Sequence, residues 1–295
     1  MSTHTELITL DGDDWTSPHW LLDVTQRIHA LEAGNILFFP QLAFALSDEE
    51  RALLDPSLAD QKRKNISLDT DGTLHGLLHS TPSQSACCKA MILRYQQSAN
   101  TLVSRLFPSY VGKLRAAPTS LRLHRVEHRE QSWRQDDARL HIDAFPSRPN
   151  HGERILRVFT NIASGSPRVW RVGERFETIA KQFLPQTRAL LPGVAWLMHR
   201  LGITKRRRTP YDQLMLQLHD AMKRDDHYQQ HGMQQTIAFP AGCVWICYSD
   251  QVAHAVMSGQ FMMEQTYFLA PENMSYPDYA PLSVLQRLCR KKLIA

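Results

Sequence analysis

Three side chains constrain the fold more than any other feature of the chain. His141 and Asp143 stand two residues apart, and His254 lies far downstream in Asp250-Gln-Val-Ala-His254. On a strand, residues two apart point to one face, so an imidazole and a carboxylate can grip a single ion there. His254 follows the strand-like run Gly242-Cys-Val-Trp-Ile-Cys-Tyr248. If it joins the other two, strands remote in sequence must meet at one point. The alternative is two unrelated histidines, since a single His-x-Asp arises often by chance.

The texture of the chain favours a meeting of strands. From Thr119 onward, Ser120–Val126 alternates apolar and polar, so Arg122 and His124 share a face opposite Leu121 and Leu123. The His-x-Asp segment is expected as the next strand, followed by a Pro-containing loop over 146–152 and a further strand over Arg154–Ile162. Ser166–Gly173 reads as a short strand with a turn. Residues 174–231 are predicted as a helical insertion, in which Tyr211, Leu214, Met215, Leu218 and Met222 form one apolar face. Strands over 235–239 with 242–248, then 259–269, close the pattern.

Upstream, residues 19–33 are predicted helical through Leu21, Leu22, Val24, Ile28 and Leu31, followed by a buried strand over 34–40. Ser47 with Glu50 is a capping box. Residues 59–86 suggest an ordered loop or hairpin, and 88–107 a helix. The expected fold is therefore α+β. A double-stranded β-helix (a cupin-like jelly roll) over 119–270 carries the insertion, with a mostly helical part over 1–118 and a basic tail over 271–295, all in one catalytic domain over 1–295.

At 295 residues the chain can bury a sizeable core. The N-terminus lacks the basic and apolar regions of a secretory signal, and no apolar run is long enough for a transmembrane helix. Cys87, Cys88, Cys243, Cys247 and Cys289 lack metal-type spacing, so each is expected as a small buried hydrophobe in a reducing cytosol. The net charge of +5 is modest, so its distribution matters more than its sum. Lys205-Arg-Arg-Arg208 is the densest cluster. Lys223, Arg224, Arg287, Arg290, Lys291 and Lys292 add to it.

Two imidazoles and one carboxylate make the facial triad of non-haem iron oxygenases, leaving three coordination positions free. Zn²⁺ accepts the same ligands, so a cupin that binds Zn²⁺ or sugar without turnover stays open. A hydroxylase of a protein or amino acid is a further alternative.

The His141-Ile-Asp143 motif, RILRVFTNI (154–162), SPRVWRVGE (166–174), YDQLMLQLHDAMKRD (211–225) and the stretch around His254 extend the likeness beyond the triad. Together they resemble the Fe(II)/2-oxoglutarate-dependent dioxygenases, and within them the Kdo 3-hydroxylases of Gram-negative bacteria. The resemblance covers most of the chain. It implies Fe(II), 2-oxoglutarate and O₂, with ascorbate helpful in vitro, and His141, Asp143 and His254 as metal ligands. It also implies hydroxylation at C3 of 3-deoxy-D-manno-oct-2-ulosonic acid (Kdo) in the lipopolysaccharide inner core.

Many enzymes of this kind place a cation ten to fourteen residues after the distal histidine to hold the far carboxylate of 2-oxoglutarate. Glu264–Phe268 contains none. The strand after His-x-Asp offers Arg154 and Arg157 on opposite faces. Arg157, sharing a face with Phe159 and Asn161, is the expected partner, with Asn161 or Thr266 assisting, and Arg154, Arg168 and Arg122 are the next candidates in that order. His151, Trp170 and Arg171 are candidate substrate contacts. A Kdo-containing lipid A precursor is anionic, so the basic clusters are expected to meet it and the lipid head groups. The protein is then cytoplasmic and peripheral on the inner membrane. No aromatic pattern interleaves the charges, which disfavours nucleic acid.

Overall fold

The computed structural model describes residues 4–16, 23–60, 63, 65–127, 132–189, 191 and 193–294. Two sheets face each other. In chain order the strands are β1 (Leu7–Thr9), β2 (Ile36–Phe39), β3 (Ile66–Leu68), β4 (Leu74–His75), β5 (Leu114–Ala116) and β6 (Thr119–Arg122). They continue with β7 (Arg154–Asn161), β8 (Arg168–Arg175), β9 (Gln235–Phe239), β10 (Val244–Tyr248), β11 (Val252–Ser258) and β12 (Met262–Leu269). The larger sheet runs β1-β2-β10-β7-β12-β6-β3-β4, with β5 also on β12. The smaller runs β11-β8-β9. This is the jelly roll that the strand texture predicts.

Alternation along β7 shows how the layers are held. Leu156 and Val158 pack outward with residues of α1 (Val24–Glu32) and α3 (Pro82–Leu106). Phe159 points between the sheets and joins Trp170, Ile237, Phe239, Trp245 and Met262. Phe239 and Trp245 stack at 4.2 Å, Phe159 stacks on Trp245 at 5.3 Å, and Trp170 stands edge-on to all three. This aromatic cluster fills part of the space between the two sheets.

The helix starts follow their caps. Asp23 with Gln26 begins α1, and Thr81 with Gln84 begins α3. Ser47 with Glu50 opens α2 (Asp48–Arg51) as predicted. Leu21 and Leu22 of the predicted first helix lie outside the described residues. Residues 66–75 form the β3–β4 hairpin.

The insertion holds α4 (Phe176–Phe183), α5 (Val194–Arg200), α6 (Pro210–Arg224) and α7 (Asp226–His231). Tyr211, Met215, Leu218 and Met222 of α6 are buried with Leu140, Ile142, Ala253 and Ala255, so this helix backs the segments that carry the three donors. The C-terminal residues include α8 (Pro281–Cys289), whose Leu282, Val284 and Leu285 enter the same cluster. Cys88, Cys243 and Cys247 are buried and free, whereas Cys87 and Cys289 are only half-buried.

Candidate active site

The His-x-Asp segment departs from the expected regular strand. It forms a single antiparallel bridge between His141 and His254. Each backbone amide donates to the other's carbonyl, at 3.0 and 2.8 Å, and the Asp143 amide donates to the Ser249 carbonyl at 2.8 Å. The segment therefore borders the smaller sheet beside β11. Arg154 holds the turn that leads into β11. It is fully buried, pairs with Asp250 at 2.8 Å and donates to Gln251 at 2.5 Å, which makes it a structural ion pair rather than a site cation.

His141, Asp143 and His254 each present one donor atom, all within 4.8 Å of one another. The Nδ1 of His141 lies 2.7 Å from the Arg139 carbonyl and that of His254 lies 2.9 Å from the Val252 carbonyl. Each Nδ1 therefore carries the proton, which leaves the Nε2 lone pair for an ion. Burial is the largest influence on both rings and lowers their pKa, for His141 further assisted by His254. Burial works against the Asp143 carboxylate, but Arg157, His254 and His141 outweigh it and hold its pKa below the usual range. Two neutral imidazoles and one carboxylate in this state are the donor set that a divalent ion needs, so the residues fit Fe(II).

These donors line a cavity of about 470 Å³. Its wall carries the cations Arg122, Arg134, Arg157, Arg168 and Lys223 against only Asp137 and Asp143. It is built to receive an anion. Through Phe145 and Arg157 it adjoins a larger groove of about 1020 Å³, whose walls include Arg63, Arg115, Arg148, Lys205 and Arg206.

The cations differ in how far they are committed. Arg157 lies 3.1 Å from Asp143 Oδ2, in ion contact without hydrogen-bond alignment, and 3.2 Å from Glu264. Arg122 pairs with Glu264 at 2.8 Å. Arg157, expected to hold the far carboxylate of 2-oxoglutarate, lines both cavities, and two carboxylates already share its charge. Arg168 is buried, lacks a salt bridge to any carboxylate among the described residues, and leaves its Nε without a partner. Burial, then the like charge of Arg122, push its pKa down to about 9 against the pull of Glu264, Asp137 and Glu127, so it stays protonated at neutral pH.

The other expected contacts separate. Trp170 lines the cavity, stacks on His254 at 5.0 Å and leaves its indole N–H unpartnered. Arg171 points to the opposite face and donates to the carbonyls of Ala138 and Gln229, so it does not line the cavity. His151 sits at positive φ on its loop and contacts the Arg207 carbonyl at 2.8 Å; it lines neither cavity, although its neighbours Pro149 and Asn150 line the larger groove. Asn161 is used up internally, donating to the Ser166 and Phe239 carbonyls and accepting from the Ala163 amide. Thr266 lines the larger groove, 3.2 Å from Glu264.

Lys223, expected among the surface cations, is buried in the cavity wall and donates to the Arg134 carbonyl at 2.9 Å. His219 of α6 also lines the cavity, its ring 5.4 Å from His141.

Arg168 was legible by pleat. Arg168, Trp170 and Val172 alternate on one face of β8 and are all buried. Pairing Trp170 with its neighbour Arg171 ignores that period. Space for the arginine stem comes from Gly259, where a Cβ would lie 2.9 Å from Arg168 Cγ.

A jelly roll that brings two imidazoles and a carboxylate together is the scaffold and donor set of the non-haem Fe(II) dioxygenases, and, as its family and close structural matches show, the protein is an enzyme of that class. A family model of 3-deoxy-D-manno-oct-2-ulosonic acid (Kdo) hydroxylases matches residues 21–292. The structure of the Kdo hydroxylase KdoO in complex with α-ketoglutarate (2-oxoglutarate) and Fe(III) is 40% identical, covers 98% of each chain and superposes with a TM-score of 0.94. Its apo structure is 41% identical over 98% of each chain, with a TM-score of 0.95. The cobalt(II) complex is 41% identical over 98% of this chain and 97% of that one, with a TM-score of 0.95. Among curated proteins there is no match. The chain belongs to the Kdo hydroxylase family.

Proposed function

We propose that the protein hydroxylates C3 of Kdo in a Kdo-containing lipid A precursor, with Fe(II) held by His141, Asp143 and His254. One observation carries the reading. The three donors open onto a cavity that also holds a buried guanidinium, Arg168, which donates to the Gln260 carbonyl at 3.4 Å but makes no salt bridge to an acid among the described residues. Leaving such a charge unpaired costs several kcal/mol, so an anionic ligand belongs beside it. The far carboxylate of 2-oxoglutarate satisfies that need, and the Trp170 indole N–H offers a second donor in the same wall.

His141, Asp143 and His254 would hold Fe(II), which would supply O₂ activation coupled to conversion of 2-oxoglutarate into succinate and CO₂. The chain's own residues arrange the reaction. Arg157 steadies the Asp143 carboxylate and ties it to Glu264. Trp170 packs against the His254 ring and fixes its orientation. His219 and Lys223 bring the insertion helix α6 to the cavity wall.

The larger groove suits the rest of the substrate. Arg115, Arg148, Lys205 and Arg206 line it, matching the carboxylates and phosphates of a Kdo-containing lipid. The reading includes peripheral association with anionic head groups on the cytoplasmic side of the inner membrane. No helix among the described residues is long and apolar enough to cross a membrane.

The test is turnover. Protein supplied with Fe(II), ascorbate and 2-oxoglutarate is expected to form succinate, with strong stimulation by a Kdo-containing lipid. Metal binding without succinate under any condition would point to a binding protein. Stimulation by a peptide or amino acid instead would move the substrate class.

A further inference from the structure

We propose that residues 193–203, α5 and the turn after it, form a docking element that seats the protein on an anionic lipid surface beside the groove mouth. The inference rests on the Kdo-lipid reading above and adds the part of the molecule that meets the membrane.

The first observation is exposure. Trp196 (56%), Leu197 (49%), Leu201 (64%) and Ile203 (52%) are the large apolar side chains this segment gives to solvent. At helical spacing Trp196, Leu197, Arg200 and Leu201 share one face, so the apolar groups are contiguous and carry a cation among them. Each leaves about half or more of its surface open, a free apolar face that is costly in water.

The second observation is charge. Between Glu177 and Asp212 the sequence has no acidic residue but holds Lys181, Arg188, Arg200 and Lys205 to Arg208. An apolar face that carries Arg200 and is followed by the basic run Lys205 to Arg208, with a tryptophan suited to the head-group region, is the pattern of a helix lying in a lipid interface.

The third is position. The Lys205 amide donates to the Ser147 carbonyl at 2.8 Å, and Arg208 donates to the Pro146 carbonyl at 2.5 Å. These bonds tie the basic loop to the loop that follows Asp143, and Lys205 and Arg206 line the large groove. Seating α5 on a bilayer therefore presents the groove mouth to the surface where an anionic glycolipid would lie.

Other occupants fit less well. A second copy would bring two such cation-bearing faces together. Single-stranded nucleic acid is gripped by aromatic platforms, and here three of the four exposed groups are aliphatic.

The test is co-sedimentation with vesicles of phosphatidylcholine alone or with added phosphatidylglycerol. The parent protein is expected to bind only the anionic vesicles. Trp196→Ser/Leu201→Ser should abolish binding. Arg200→Ala/Arg207→Ala should weaken it about twenty-five-fold, from about fivefold for each cation near such a surface. Both variants should keep Co(II) binding and uncoupled succinate formation, which shows that they are folded.

Equal binding to neutral vesicles, parent-like binding by the serine variant, or a parent dimer in sedimentation velocity that the serine variant lacks would each overturn the inference. Hydroxylation is measured in parallel on substrate dispersed in detergent micelles. Turnover in micelles without vesicle binding overturns the docking element and leaves the function standing. Variant-sensitive vesicle binding without any hydroxylation supports the docking element and overturns the function.

Discussion

Arg168→Met separates the two guanidiniums that compete for the co-substrate. Methionine fills much of the stem volume beside Gly259 but removes the charge, so packing is largely kept. A bidentate contact between guanidinium and carboxylate is worth about 1.5–3 kcal/mol when partly desolvated. Its loss is expected to raise the apparent KM for 2-oxoglutarate by about ten- to a hundredfold, with kcat at saturation changed much less. A second consequence has the opposite sign. The folded state holds this cation against burial and the like charge of Arg122, with its pKa depressed to about 9. A cation whose pKa is lowered on folding destabilises the fold at pH below that value, and the penalty fades as pH rises through it. Arg168→Met should therefore raise the melting temperature of the ligand-free protein at pH 7 while abolishing most of the further rise caused by 2-oxoglutarate. Succinate formation against 2-oxoglutarate concentration and thermal unfolding with and without it measure both effects. An unchanged KM in Arg168→Met, alongside a hundredfold rise in an Arg157 variant with kcat intact, would refute the assignment.

Arg157→Met should act differently, lowering kcat and weakening Co(II) binding because Asp143 loses its ion-pair partner, with the larger effect on metal affinity rather than on the KM for 2-oxoglutarate. His141→Ala, Asp143→Ala and His254→Ala should each abolish turnover and most Co(II) binding, seen by titration, while circular dichroism stays that of the parent; near-full activity in His254→Ala would remove that residue from the metal site. Gly259→Ala combines a strained φ of +124° with a Cβ 2.9 Å from the Arg168 stem, so it should raise the KM for 2-oxoglutarate in the direction of Arg168→Met; a parent-like KM would show that the stem can shift without cost.

The sequence made local order readable wherever one period or one cap decides it. Capping residues set the start of α2, the 3.6 period set α6, and the two-residue period set β6 and β7. The three donors were legible for the same reason, as types and spacing on strand-like runs. What could not be read locally depends on partners brought from elsewhere. Arg157 is neutralised by Glu264 from β12, a register in which Thr266 faces Arg157, and nothing in the local sequence announces that pairing. Lys223 looks like one more surface cation until α6 turns it into the cavity. Asn161 has the right face for a co-substrate contact, yet three backbone groups consume its amide. Arg168 was within reach, because the pleat of β8 groups it with Trp170.

The most direct measurement combines the purified protein, Fe(II), 2-oxoglutarate and isotopically labelled O₂ with a Kdo-containing lipid A precursor, read by tandem mass spectrometry. The expected product carries one labelled oxygen atom on C3 of a Kdo residue, formed in equal amount with succinate. Succinate formed without oxygen on the sugar, or oxygen placed on another carbon, would contradict the proposed reaction.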